Sequence, residues 1–306
     1  MTNNAPRSVE EYLRQLRAAL KNEDPALIQD ALYDAEEYLR AEVAAHADKS
    51  EADVLELIAS TYGAPDEVAA AYRDTEIKVA AALRAPAKPP ASGALGRFFG
   101  IFSDGRAYAG LLFMLFSLAT GILYFTVTVV GTSLSLGLAI LIIGVPFFIT
   151  FIGVTRVLAL VECRLVETVS GVRMPRRPHH PGPPQNFWGR VVSMVTDRRT
   201  WTTLAYNVLM LPVGILYFTL AVVGVAVSLA LIAAPVFETI RALGGFDPDS
   251  ALGRGGIHME PQWLSAPGGL LLCFIVGVLL LTLTLHASRG ITRGHAALAK
   301  SMLVLP

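Results

Sequence analysis

Charged side chains vanish from the chain in three long stretches. None occurs over residues 107–155, 200–237 or 261–288, runs of 49, 38 and 28 residues. A hydrocarbon core about 30 Å thick is crossed by about 20 apolar helical residues, so the first stretch holds two spans. Gly131-Thr132-Ser133 near its middle predicts a tight turn, with span one at about 107–130 and span two at about 134–160. Span three is expected at 201–224 and span four at 268–286. Residues 225–237 are too short to cross alone and contain Pro235. They either extend span three or lie along the membrane surface. The second is expected, because a 37-residue helix would be about 55 Å long.

Residues 1–85 alternate differently, with apolar positions three and four apart. Ser8-Val9-Glu10-Glu11 is a capping box, followed by Val9, Leu13, Leu16 and Leu20 at helical spacing. Asp24-Pro25 is an N-cap with Pro at the first helical position. The second helix carries Ile28, Leu32, Ala35, Leu39 and Val43 on one face and Asp30, Asp34 and Glu37 on the opposite one. Ser50 opens a third helix with Val54, Leu57 and Ile58. Gly63 stops it, and Pro65 starts a fourth with Val68, Ala69 and Tyr72 inward. Such stripes must be buried against partner helices, which predicts a small bundle. Residues 86–100, rich in Pro and Gly, read as a linker. The expected fold class is therefore all-α, a helical bundle beside a four-span membrane domain over 101–306.

The membrane half repeats itself. Asp104-Gly105-Arg106 recurs as Asp197-Arg198-Arg199, and Gly121-Ile122-Leu123-Tyr124-Phe125-Thr126 recurs as Gly214-Ile215-Leu216-Tyr217-Phe218-Thr219, all at an offset of 93. Both copies are expected to start on one side, which makes two parallel hairpins. Gly121, Tyr124, Thr126, Gly214, Tyr217 and Thr219 are expected as a packing motif, since small residues admit close helix approach and hydroxyls can bond across helices. A ligand cleft between the copies is the alternative.

Composition sharpens this division. The chain is 53% hydrophobic and 16% charged with zero net charge. Residues 1–85 hold 9 Lys/Arg and 17 Asp/Glu, whereas 86–306 hold 16 and 8. A single soluble domain, a disulfide scaffold and a direct nucleic-acid binder are all disfavoured. Eight arginines lie between spans two and three, against two in the loop of residues 238–267. The positive-inside rule then puts both termini in the cytosol. No apolar h-region occupies the first ~100 residues, so no removable leader is expected.

Leu13-x-x-Leu16-x-x-Ala19-Leu20, the acidic second helix and Tyr62-Gly63-Ala64-Pro65-Asp66-Glu67-Val68-Ala69 resemble the bacterial HAAS signalling domain. In that family the last motif reads Leu-Gly-x-Pro; Tyr62 stands for the Leu, and Ala47-Asp48 replaces the Gly that ends the second helix. The two Gly-Ile-Leu-Tyr-Phe copies, Gly144-Val145-Pro146, and Arg156 with Glu162 resemble the "putative sensor" membrane region of bacterial, especially actinobacterial, histidine kinases. These resemblances imply a signalling protein of the bacterial inner membrane and no catalytic residues. About 18 residues follow span four, so no kinase domain is expected.

Candidate chemistry is sparse, and no cofactor, metal or catalytic residue is expected. Asn207 is expected to bond a neighbouring helix, and His286 to sit at the cytosolic interface. Arg156, Arg164, Arg176, Arg177, Arg198 and Arg199 are candidate interface and lipid contacts, with Arg156 either paired to Glu162 or on lipid phosphate. His179-His180 and Gly253-Arg254-Gly255-Gly256 are read as loop, and Trp188, Trp201 and Trp263 as aromatic anchors. Asp30, Asp34 and Glu37 form a candidate docking face for a basic surface, either in this chain's segment 156–199 or on a partner. The expected function is a non-enzymatic membrane sensor or regulator. Its partner would be a transcription regulator, a kinase or a transporter subunit, with self-association a further option. The alternative is an accessory subunit of an exporter for apolar molecules.

Overall fold

A computed structural model of the chain describes residues 5–82, 93–141, 144–177, 186–243 and 267–304. The expectations for His179-His180, Gly253–Gly256, Trp263 and residues 86–92 of the linker lie outside these residues. The chain divides into two compact units, Met1–Pro89 with Thr126–Val208 and His295–Pro306, and Pro90–Phe125 with Leu209–Gly294.

Four helices open the first unit: α1 (Val9–Ala19), α2 (Pro25–Ala45), α3 (Glu51–Ala59) and α4 (Pro65–Ala82). Their caps follow the sequence. Ser8 Oγ accepts from Glu11 N–H at 3.2 Å, Asp24 Oδ1 from Ala26 N–H at 2.9 Å, and Ser50 Oγ from Asp53 N–H at 3.3 Å. Each takes up a donor that the helix start leaves free. Gly63 adopts φ 102°, a left-handed conformation that suits glycine. Tyr12 Oη donates to its carbonyl at 2.8 Å, which ties α1 to the turn before α4. Leu13, Leu16, Leu20, Leu32, Leu39, Val54 and Ile58 share one core. Tyr62 stacks on Tyr38 with ring centroids 4.5 Å apart.

Helix α2 departs from its expected pattern. Ala26, Leu27, Gln29 and Asp30 are buried beside the core stripe, so the acidic face is half covered.

Six further α-helices follow the bundle within the described residues: α5 (Ala94–Phe99), α6 (Gly105–Gly137), α7 (Gly144–Ser170), α8 (Phe187–Thr196), α9 (Arg198–Ala242) and α10 (Pro267–Leu303). Four of them, α6, α7, α9 and α10, are long and apolar enough to cross a membrane. Part of the expected linker is thus helical, since α5 and a 3-10 turn over Gly100–Ser103 lead into α6.

Two boundaries correct the sequence reading. Gly131-Thr132-Ser133 does not turn; α6 runs through it, and the reversal comes after Leu138. Backbone groups in apolar surroundings must bond internally, which keeps the helix going through weak formers. Gly131 instead makes room for the Phe151 ring. The effective stop is Gly144-Val145-Pro146, where Pro sits in the first turn of α7 and needs no helical N–H. Likewise, residues 225–237 continue α9, whose 45 residues include Pro212 and Pro235. At 1.5 Å per residue it is about 68 Å long, more than twice a bilayer core.

The 93-residue offset reaches into the contacts of each unit. In the second unit Asp104 Oδ1 caps Arg106 N–H at 3.0 Å and Tyr108 Oη donates to Phe102 O at 3.1 Å. In the first, Asp197 Oδ1 caps Arg199 N–H at 3.0 Å and Trp201 Nε1 donates to Val195 O at 2.8 Å. The second helices correspond at an offset of 133. Asp104 pairs with Arg289 at 2.7 Å, and Asp197 pairs with Arg156 at 3.6 Å. Each capping carboxylate therefore meets an arginine on the other copy's second helix.

Within the second unit a methyl group on Gly121 would overlap the Met210 carbonyl, and one on Gly214 the Ser117 carbonyl. Ser117 and Met210 are themselves 93 apart, so this is one contact made twice. Ala107 O accepts from Ser288 Oγ at 2.9 Å, and Gly224 packs on Thr284, one turn away on α10. Together with the Gly121 and Gly214 contacts, this order runs α6 and α9 in opposite directions here, against the parallel arrangement expected. Tyr124 is buried and Tyr217 half-buried, but Thr126 and Thr219 are exposed and do not join the packing motif.

Gly121→Ala and Gly214→Ala should each lower the melting temperature of the detergent-solubilised chain, since an added methyl in a packed site costs about 1–3 kcal/mol. Gly153→Ala, with open space around it, should leave it unchanged or raise it, because Ala favours helix by about 1 kcal/mol. Equal effects at all three sites would discount the close approach.

Candidate functional site

The half-covered face of α2 holds an extended piece of chain. After α7 ends at Ser170, residues 171–177 lie against Gln29, Asp30 and Asp34. Asp30 Oδ1 accepts from the backbone N–H of Arg176 at 2.7 Å and of Arg177 at 2.8 Å, and Oδ2 from Arg173 Nη2 at 2.8 Å. Gln29 Nε2 donates to Arg177 O at 2.8 Å, while Arg199 Nη1 donates to Gln29 Oε1 at 3.2 Å. Arg177 pairs with Asp34 at 2.8 Å and lies 5.9 Å from the Tyr33 ring centre. Arg173 also pairs with Glu76, and Arg176 with Glu167 at 3.1 Å.

These contacts read both backbone and side chain, which a plain charge attraction does not. Asp30 is 5% exposed. Burial pushes its carboxyl up from the ordinary value, opposed by the two backbone N–H groups and the Arg173 guanidinium. A carboxylate taken from water is costly unless fully paired, so Asp30 is held by the segment it holds. The Arg176 guanidinium is pushed up, chiefly by its bond to Glu167. Lys300, near the end of α10, reaches Asp24 at 2.5 Å.

A second polar centre lies inside the first unit. Tyr206 Oη on α9 donates to Glu162 Oε1 on α7 at 2.9 Å, and His295 Nε2 on α10 stands 3.1 Å from the same oxygen and 3.0 Å from the tyrosine hydroxyl. Glu162 and His295 are each 1% exposed, and Tyr206 is fully buried. Of the two alternatives for Arg156, the pairing with Glu162 is not formed: Glu162 is buried and Arg156 pairs with Asp197 at 3.6 Å. Helix α7 brings Glu162 inward, six residues past Arg156, toward two helices that carry a hydroxyl and an imidazole.

The remaining expected residues are placed as follows. Glu37 is exposed, so only Asp30 and Asp34 of the acidic face engage the basic segment. Arg164 is exposed beside Glu167 at 3.7 Å, and Arg198 is exposed. Arg176, Arg177 and Arg199 each bond a protein group. His286 stacks on Phe98 at 5.5 Å, its Nε2 3.0 Å from the Phe98 carbonyl oxygen. Asn207 is buried, and its Nδ2 has no hydrogen-bond partner among the described residues. Cys163 and Cys273 are buried and free. Sequence reasoning missed Gln29, Glu76, Tyr206 and His295. The available signal for His295 was faint: Thr155-Arg156 precedes Glu162 at the spacing by which Ser288-Arg289 precedes His295.

Trypsin reads the α2 contact directly. Cleavage after Arg173 and Arg176 should be slow in the intact chain and about tenfold faster or more in Asp30→Ala. Leaving buried donors without an acceptor costs about 1–3 kcal/mol, and local opening sets the cleavage rate. Glu37→Ala should leave the rate unchanged.

Residues 113–303 match the family model described as "Putative sensor", which leaves α1 to α5 outside the match. No curated protein and no solved structure matches the chain.

Proposed function

Because the chain belongs to the family described as "Putative sensor", we propose that it is a non-enzymatic sensor of the bacterial inner membrane. Its membrane helices pass their state to the N-terminal bundle. The observation that carries this reading is the seat of residues 173–177 on α2, held by Asp30. The segment directly follows α7, and Arg199, at the start of α9, also reaches α2. A shift of either helix is therefore felt at Gln29 and Asp30. The bundle is read as a HAAS-like domain that presents this state to a protein partner in the cytosol or membrane. The matching caps and contacts of the two segments support their reading as copies of one unit.

The test is a distance between spin labels at Lys49→Cys on the bundle and Phe187→Cys on α8, the native cysteines being buried. In the intact chain the distribution should be narrow. It should broaden in Asp30→Ala, and broaden with added salt, which screens charges over about 8 Å at physiological strength. A distribution that stays narrow in Asp30→Ala would remove the coupling route.

Topology is settled by reporter fusions. The arginine distribution places Arg177 and the C-terminus in the cytosol and Asp249 outside. Four crossings of this kind run α6 and α9 in the same direction, unlike the contact order in the second unit. A cytosolic report at Asp249 would therefore overturn the four-crossing arrangement and leave the packing order standing.

A further inference from the structure

Helix α8 presents apolar side chains to its surroundings. Phe187 is 54% exposed, Trp188 66%, Val192 59% and Val195 43%, while α8 also makes contacts with α7. Water is a poor neighbour for such a stripe, and contiguous exposed apolar surface marks an interaction face. We propose that α8 lies in the plane of the bilayer surface, its Trp188–Val192–Val195 stripe seated at the boundary of headgroups and acyl chains.

The occupant is identified by continuity. Asp197 alone separates α8 from α9, a helix apolar and long enough to cross. Exposed apolar side chains continue on α9, at Trp201, Val208 and Leu209. An apolar face one residue from a membrane-crossing helix meets the same bilayer, and such a face sinks about 5–10 Å into the interface. Trp201 fixes the joint, since its indole N–H donates to Val195 O, leaving the ring at the level where tryptophan is enriched.

The same device occurs in the second unit. Gly96-Arg97 of α5 and Gly189-Arg190 of α8 are 93 apart. Leu95 and Phe99 are exposed there, as Trp188 and Val192 are here. The tether is also repeated, with Tyr108 in place of Trp201.

Trp188 is its own probe. In the full chain carrying Trp201→Tyr, which keeps a ring donor as at position 108, and Trp263→Phe, Trp188 is the sole tryptophan. Reconstituted in bilayers with brominated acyl chains, it should lose about half its emission to bromines near the headgroups and less to bromines near the chain ends. Val192→Asp with Val195→Asp should weaken that quenching while far-ultraviolet circular dichroism stays constant. Quenching by aqueous acrylamide with none by bromolipid would overturn the proposal in favour of a solvent-facing helix. Protection from both would overturn it in favour of a protein partner or second copy on this face. Neither outcome bears on the Asp30 contact, which the spin-label distance tests separately.

Discussion

A carboxylate removed from water must be met by donors inside the protein, and the first unit is arranged around two that are. Asp30 is surrounded by two backbone N–H groups and a guanidinium; Glu162 by a tyrosine hydroxyl and an imidazole. Hydrophobic burial does not specify such arrangements, because apolar faces tolerate small slips. A buried charge does not tolerate them, since losing one partner strands the other. The carboxylates therefore contribute definition more than stability. They fix which residues of 171–177 sit on α2 and how α7, α9 and α10 meet at one level.

The two centres sit on shared elements. Helix α7 carries Glu162 and, one turn further, Glu167, which holds Arg176. Helix α9 carries Tyr206 and, two turns earlier, Arg199, which holds Gln29. A rotation or slide of α7 against α9 cannot leave the Glu162–Tyr206 bond unchanged, and it would also move the anchors of the α2 contact. Packed helices with discrete hydrogen bonds move between alternatives, not along a continuum. This is the physical content of the coupling proposed above. It needs no ligand in the spans, only two settings of one helix pair.

Much of this was legible in the chain, and the gaps have physical causes. The bundle's helices were readable because caps and apolar spacing are local properties. Asp30 and Asp34 could be read as a docking face because acidic and basic residues segregate so strongly between the two halves. Glu37 shares that pattern but not the geometry, and nothing local separates it from its neighbours. The α6 reversal was misplaced because Gly131 has two meanings, a breaker in water and a point of close approach between packed helices. Residues 225–237 were misjudged because a bilayer thickness limits a span and not a helix. Tyr206 and His295 are 89 residues apart and meet only through tertiary packing, which no window of sequence contains.

Among the described residues the buried Glu–Tyr–His cluster lies in the first unit. Under the two offsets Glu162 and His295 are each other's counterparts in the sequence. Tyr206 corresponds to Phe113, which fills a similar volume without a hydroxyl. The caps at Asp104 and Asp197, their arginines and the glycines at 121 and 214 are alike in both copies, and these are the parts that set packing. Glu162, Tyr206 and His295 meet in the first unit, whereas Phe113 lies in the second. The first unit also holds the bundle and the segment it grips.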